Sequence, residues 1–171
     1  YALQNGADWV AVINNDTEVK PTFIERLRAN LGQIEGIGAL PIQEAAGIAY
    51  GGHIGWLKPT LRHSYNLAKS EELKAKSRLY AIGAGMAIQR NVFEKIGFFD
   101  ERYFLYFEDA DFCARAAKAG ISVTPLKEPI IYHHVSSTTR SLGSALLLRY
   151  HARNSLLFSW KNGPWWAKGL L

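Results

Sequence analysis

Three acids fall within four positions, Glu108, Asp109 and Asp111, directly after the aromatic run Tyr103 to Phe107. Paired carboxylates suit proton transfer, because their mutual repulsion raises one pKa towards neutrality. Asp109 or Glu108, facing a crevice, would take a proton from an attacking hydroxyl, and neighbours such as Tyr106 and Phe107 would stack on a sugar ring. The same acids sit where a helix begins, and a carboxylate there accepts orphan backbone N–H bonds. For Asp111 that capping role weighs as much as a place in the site.

A fourth acid, Asp16, lies just past the apolar run Trp9 to Ile13. Beyond a strand end a carboxylate can hold Mg²⁺ or Mn²⁺ bridging two phosphates. Asn14, Asn15 and Asp16 are equally good turn formers. His133 and His134 follow another strand directly, so they point to opposite faces. One imidazole can complete a metal site begun by Asp16, and the other is a packed or surface residue. Ser136 to Thr139 form a polar loop with Arg140 available for a phosphate, or simply a surface loop. Gly83, Ala84 and Gly85 interrupt an apolar run, where absent side chains allow close approach by a ligand or another backbone. Cys113 is a small apolar residue on a helix, with no basic neighbour to activate it.

These groups require a scaffold of alternating elements. Trp9 to Ile13 reads as a strand buried on both faces in a parallel sheet. Pro21 opens a helix whose apolar residues Phe23, Ile24, Leu27 and Leu31 recur at helical spacing. Ile37 to Ile42 reads as a strand, and the Gly-rich stretch to Trp56 has no clear pattern. Glu71 to Arg78 is a polar excursion. Tyr80 to Gln89 is strand-like, Asn91 and Glu94 suggest a capping pair for a helix ending at Gly97, and a helix spans about Asp109 to Ala119. Strands at Ile121 to Val123 and Ile130 to Tyr132 complete a layered α/β domain over residues 1–143.

The remaining segment, 144–171, reads as a basic aromatic helical tail. Residues 1–128 hold 15 cations and 15 acids, whereas Arg140, Arg149, Arg153, Lys161 and Lys168 follow with no acid at all, which accounts for the whole net charge of +5. Interleaved Trp160, Trp165, Trp166 and leucines suit an anionic membrane surface, or a helix packed on the domain. No apolar run is long enough to span a bilayer. The basic surplus is confined to this apolar segment and no recognition motif accompanies it, which argues against nucleic acid. One cysteine and no leader pattern point to a reducing cytoplasm, at the inner face of the membrane.

In order, a strand ending in NND, a GAG segment, the block FFDERYFLYFEDADFCARAAKAG and HHVSST resemble the family 2 glycosyltransferases, particularly their bacterial rhamnosyltransferase-like branch. The resemblance covers about Ala7 to Asn154. It implies a GT-A fold, with a mostly parallel central sheet, and inverting transfer from a nucleoside-diphosphate sugar to a glycan or lipid-linked acceptor, rhamnose being the leading candidate sugar. By similarity Asp16 closes the motif that binds Mg²⁺ or Mn²⁺ and the diphosphate, with Asn14 and Asn15 where other members often carry acids. Asp109 corresponds to the catalytic base with Glu108 beside it, and His133 to the histidine that joins the metal, His134 being its alternative. The remaining assignments are Arg140 on the donor side and Gly83, Ala84, Gly85, Tyr106, Phe107 and Asp111 on the acceptor side. The family's opening strand and its nucleobase-reading acid are expected upstream of Tyr1, which leaves this piece short of a complete donor site. Two rivals are a sugar-binding module without turnover and a metal-dependent phosphoesterase.

Overall fold

The computed structural model describes residues 1–56, 60–133 and 143–168. In chain order the elements are β1 (Trp9–Ile13), β2 (Thr17–Val19), α1 (Phe23–Leu31), β3 (Ile37–Ala39), β4 (Ile42–Glu44), β5 (Gly47–Ala49), β6 (Gly52–Gly55), β7 (Thr60–His63), α2 (Leu67–Ala75), β8 (Leu79–Tyr80) and β9 (Gly85–Gln89). There follow α3 (Arg90–Ile96), α4 (Glu108–Lys118), β10 (Val123–Pro125), β11 (Ile131–His133), α5 (Ser144–Asn162) and α6 (Trp165–Lys168).

Three small sheets share the core. One of the two four-stranded sheets has the order β1-β9-β3-β10. β3 and β10 are parallel, while β9 runs antiparallel to both β1 and β3, so β1, β3 and β10 point one way. β1 pairs only with β9 among the described strands and is half exposed, which corrects its reading as a strand buried on both faces. The run from Ile37 to Ile42 divides at Leu40 and Pro41, because proline cannot donate to a ladder, and β4 passes into a second sheet, β2-β11-β4-β5. The Gly-rich stretch supplies β5 and β6, the latter joining β7 and β8 in the third sheet. Gly52 has no room for a side chain, since a Cβ there would sit 2.5 Å from the Tyr80 ring.

Helix α1 buries Phe23 and Leu27, two of the residues whose spacing foretold it. Helix α3 starts at Arg90 after Gln89, whose side chain bonds Gly36 N instead of capping, so Asn91 and Glu94 are not its cap. It ends at Gly97, where φ is +74° and glycine carries no Cβ penalty. Cys113 is buried on α4 and accepts the Ala81 N–H at 3.3 Å; burial pushes its thiol up to about 12, in keeping with a purely packing role.

Helix α5 packs on the domain, the second of the two readings open to the segment 144–171. Phe158 is fully buried, stacked on Trp56 at 5.4 Å and against Phe107 at 5.6 Å. Beneath it Asp111 has no solvent exposure and is held by Asn162 Nδ2 at 2.7 Å, Lys161 Nζ at 2.7 Å and Arg115 Nε at 2.9 Å. Arg115 extends the network to the carbonyls of Ile96 and Phe98, and Lys161 also reaches Asp100 at 2.5 Å. Asp111 is therefore neither a cap nor a ligand group, but the anion that ties α4 to α5. A cap lost from a helix's first turn costs about 1 kcal/mol, whereas a buried ion pair with one partner removed costs about 3–5 kcal/mol. Asp111→Ala is expected to show the larger loss in chemical denaturation, and a value near 1 kcal/mol would return Asp111 to a capping role.

Candidate active site

The acid pair is presented by an unusual entry into α4. Tyr106 and Phe107 both have left-handed backbones, φ +67° and +72°, a conformation that costs bulky residues energy and persists only where the surroundings enforce it. Asn154 supplies that enforcement. Its buried side-chain amide donates to the carbonyls of Leu105 at 2.6 Å and Tyr106 at 3.1 Å, holding α5 against the strained turn. The turn throws Glu108 and Asp109 into the first two positions of the helix, where the positive end of the helix dipole favours negative charge.

Asp109 is almost completely buried. Its Oδ2 accepts the Gly83 N–H at 2.8 Å and its Oδ1 accepts the Ala110 N–H at 2.7 Å. Burial nevertheless raises its pKa, against the lowering effect of those N–H groups and of His63. Burial, with the charge of Asp109 beside it, pushes Glu108 up to about 7. Gly83 is the close approach anticipated from its type. A Cβ there would lie 3.5 Å from Asp109 and 3.6 Å from Glu108 Oε1, ordinary van der Waals contact, so the backbone N–H and not the missing side chain is what meets the acid. Gly85 serves packing instead: an added Cβ would meet Ile131 at 2.6 Å, and Gly85 lies in β9 away from the cleft.

The pair opens on a cleft of about 820 Å³ whose far wall is the strand end after β1. The chain turns there through Asn14 to Asp16 and enters β2, which pairs with β11 so that Thr17 stands opposite His133. That register brings Asp16 Oδ1 to 3.4 Å from His133 Nε2. Asp16 Oδ1 is buried without a hydrogen-bond partner, so it is an anionic oxygen removed from water and left unsatisfied. A carboxylate in that state, beside an imidazole, fits a divalent cation. Among the described residues no group of three or more His, Cys, Asp or Glu forms a cage, so a cation here would draw its other ligands from substrate oxygens or water.

Glu108 Oε2 and Tyr80 Oη are also buried and unpartnered, which puts three of the five such atoms among the described residues on this one cleft. Asn14, Asn15, Gly83, Ala84 and Tyr106 line it as well. Phe107 borders it, but its ring is fully buried against His151 and Phe158, so it is unavailable for stacking on a sugar. His134 and Arg140 lie outside the described residues. Sequence reasoning missed Tyr80, His63 and His151. His63 faces the cleft from β7 with Nδ1 2.9 Å from Glu44, which also accepts the Tyr65 hydroxyl at 2.7 Å. Its only signal was alternation in a short strand, TLRH. His151 reaches the cleft from α5, a segment read as a tail.

A family profile described as Glycosyl transferase family group 2 matches residues 9–167. The chain is 30% identical over 177 aligned residues to the N-acetylglucosaminyl-diphospho-decaprenol L-rhamnosyltransferase of Mycobacterium tuberculosis, an alignment covering 93% of this chain and 57% of that protein. It is 22% identical over 170 residues to a dTDP-rhamnosyl transferase of Shigella flexneri, covering 95% and 57%. A 44-residue stretch is 41% identical to a low-salt glycan biosynthesis hexosyltransferase of Haloferax volcanii, covering 26% and 14%. The chain thus spans a little over half the length of the two rhamnosyltransferases it matches.

Two outcomes follow from this geometry. Asn154→Ala leaves two buried carbonyls without a donor and should cost about 1–3 kcal/mol, with faster amide exchange confined first to residues 105–109. Exchange that rises uniformly over the domain would show that Asn154 does not hold the turn. The raised pKa of Glu108 means that its ionised form is disfavoured by folding. That cost is absent below the usual pKa of 4.5 and complete above about 7. Glu108→Gln should therefore be more stable than the native protein at pH 8, by on the order of 1–3 kcal/mol in chemical denaturation, with the gap closing by pH 4.5.

Proposed function

From the premise that this chain belongs to glycosyltransferase family group 2, we propose that it forms the catalytic part of an inverting enzyme that moves a sugar from a nucleoside diphosphate to an acceptor hydroxyl. The observation that carries the reading is the convergence of unsatisfied buried polar atoms from Asp16, Tyr80 and Glu108 on one cleft, with the Asp109 carboxylate in the same wall. Such atoms cost free energy unless a ligand completes them. By similarity to the two rhamnosyltransferases, rhamnose on a thymidine diphosphate is the leading donor, and a lipid-linked or glycan hydroxyl in envelope polysaccharide synthesis the leading acceptor.

In the reaction the acceptor oxygen attacks the anomeric carbon as its proton passes to the acid pair, and the bond from that carbon to the diphosphate oxygen breaks with its electrons on the leaving group. One displacement inverts the centre. Asp109 is the base in this scheme, aimed by the Gly83 N–H, and each of its oxygens keeps a lone pair beyond the bond it already makes. Glu108, pushed up to about 7 by burial and by the charge of Asp109, gains or loses its proton around neutral pH beside that base. Asp16 and His133 would hold Mg²⁺ or Mn²⁺, which when bound neutralises charge on the departing diphosphate. Asn14 and Asn15 supply neutral oxygens and amide donors on the same wall.

Transfer by the complete protein from a panel of nucleotide sugars, with and without Mn²⁺, tests the reading; sugar binding without transfer, or release of phosphate, would replace it with one of its rivals. Asp109→Asn should abolish transfer with donor affinity nearly unchanged, because the amide keeps the shape and loses the basic oxygen. Glu108→Gln should keep measurable transfer and move the acid limb of kcat/KM to lower pH, because the carboxyl that burial and the Asp109 charge hold up near 7 is then gone. If the two substitutions exchange these effects, Glu108 is the base. Asp16→Ala should weaken donor binding only when the metal is present, and an unchanged metal dependence would reduce residues 14–16 to a turn.

A further inference from the structure

Helix α5 is amphipathic the wrong way round for a helix lying between a core and water. Its buried positions include Asn154, Ser155, Ser159 and Asn162, with Phe158 the one large apolar residue fully inside. Outward it shows Leu148, Leu156 and Trp160 at 70%, 51% and 64% exposure. At 3.6 residues per turn Leu156 and Trp160 lie about 40° apart, with Arg149 between them and Arg153 beside Trp160. Helix α6, packed on the end of α5, adds Trp165 at 85% exposure and Trp166 at 42%, followed by exposed Lys168. The carboxylates that touch α5, Asp100 and Asp111, are on its inner side and already paired with Arg102, Arg115 and Lys161. No acid follows Glu128 in the sequence.

We propose that the outer face of α5 together with α6 docks on an anionic lipid surface. Indole rings belong at headgroup depth, the leucines enter the acyl boundary, and the cations meet phosphate. No described helix is long and apolar enough to cross a membrane. The inward side of the same helix contributes Leu147 and His151 to the cleft. Docking therefore holds the cleft close to the bilayer, where a lipid-linked acceptor presents its hydroxyl; this consequence, unlike the docking itself, rests on the glycosyltransferase reading.

The test is sedimentation of the complete protein with phosphatidylcholine vesicles, with and without phosphatidylglycerol, in the absence of donor. Binding should favour the anionic vesicles and fall as salt rises, since exposed charges are screened over about 8 Å at physiological ionic strength. Arg149→Gln with Lys168→Gln should weaken anionic binding by roughly twenty-five-fold, at about fivefold per cation. Trp160→Ser with Trp165→Ser should weaken it by at least about tenfold, and thermal unfolding should stay near native because both rings are exposed. Equal binding to neutral and anionic vesicles, or binding to neither, overturns the proposal. A dimer in sedimentation equilibrium that the tryptophan variant converts to monomer also overturns it, because the face would then be a contact between copies. Transfer to a water-soluble acceptor without lipid is assayed in parallel: its absence in a protein that binds vesicles defeats the glycosyltransferase reading alone.

Discussion

Burying two adjacent carboxylates at the start of one helix is the constraint around which the domain is arranged. Like charges side by side in a poorly hydrated pocket repel and are undersolvated, and the helix dipole offsets only part of that cost. The rest is met by main-chain donors. The Gly83 and Ala110 N–H groups fix Asp109. Glu108 keeps one oxygen without any protein donor. Burial, with the charge of Asp109 beside it, raises its proton affinity.

The pair is delivered by two left-handed aromatic residues, which α5 clamps through Asn154. This explains why the buried side of α5 is polar. Carbonyls freed by the strained turn, and the Asp111 carboxylate beneath it, need donors, and Asn154, Lys161 and Asn162 provide them. Polar groups turned inward leave the apolar ones facing out. The inverted helix and the strained turn are thus two sides of one solution, and the exposed tryptophans are its outer edge.

Across the cleft the geometry depends on strand register. Asp16 and His133 are 117 positions apart, and they meet because β2 and β11 pair with Thr17 opposite His133. A slip by one residue would turn His133 to the other face. The split of β3 from β4 at Pro41 matters for the same reason, since it lets β4 flank β11 in the second sheet while β3 stays in the first.

Local physics determined much of this before any packing was known. The carboxylate pair at a helix start, the acid after a strand, the helix carrying Phe23 and Leu27, and the glycine stop at Gly97 all follow from residue type and short spacing. So did the close approach at Gly83, though not its partner. What tertiary structure alone decided was which partner each polar group found. Asp111 looked as much like a cap or a ligand as Glu108 does, and only the arrival of Lys161 and Asn162, some 50 positions later, made it a structural anion. Tyr80 carried no signal and His63 only the alternation of TLRH, since a two-residue and a four-residue strand give little pattern to stand out from. The segment after residue 143 showed its charge and aromatic content in the sequence. Which of its faces was core could not be read there, because the buried face is chosen by donors that the distant turn requires, and not by hydrophobicity.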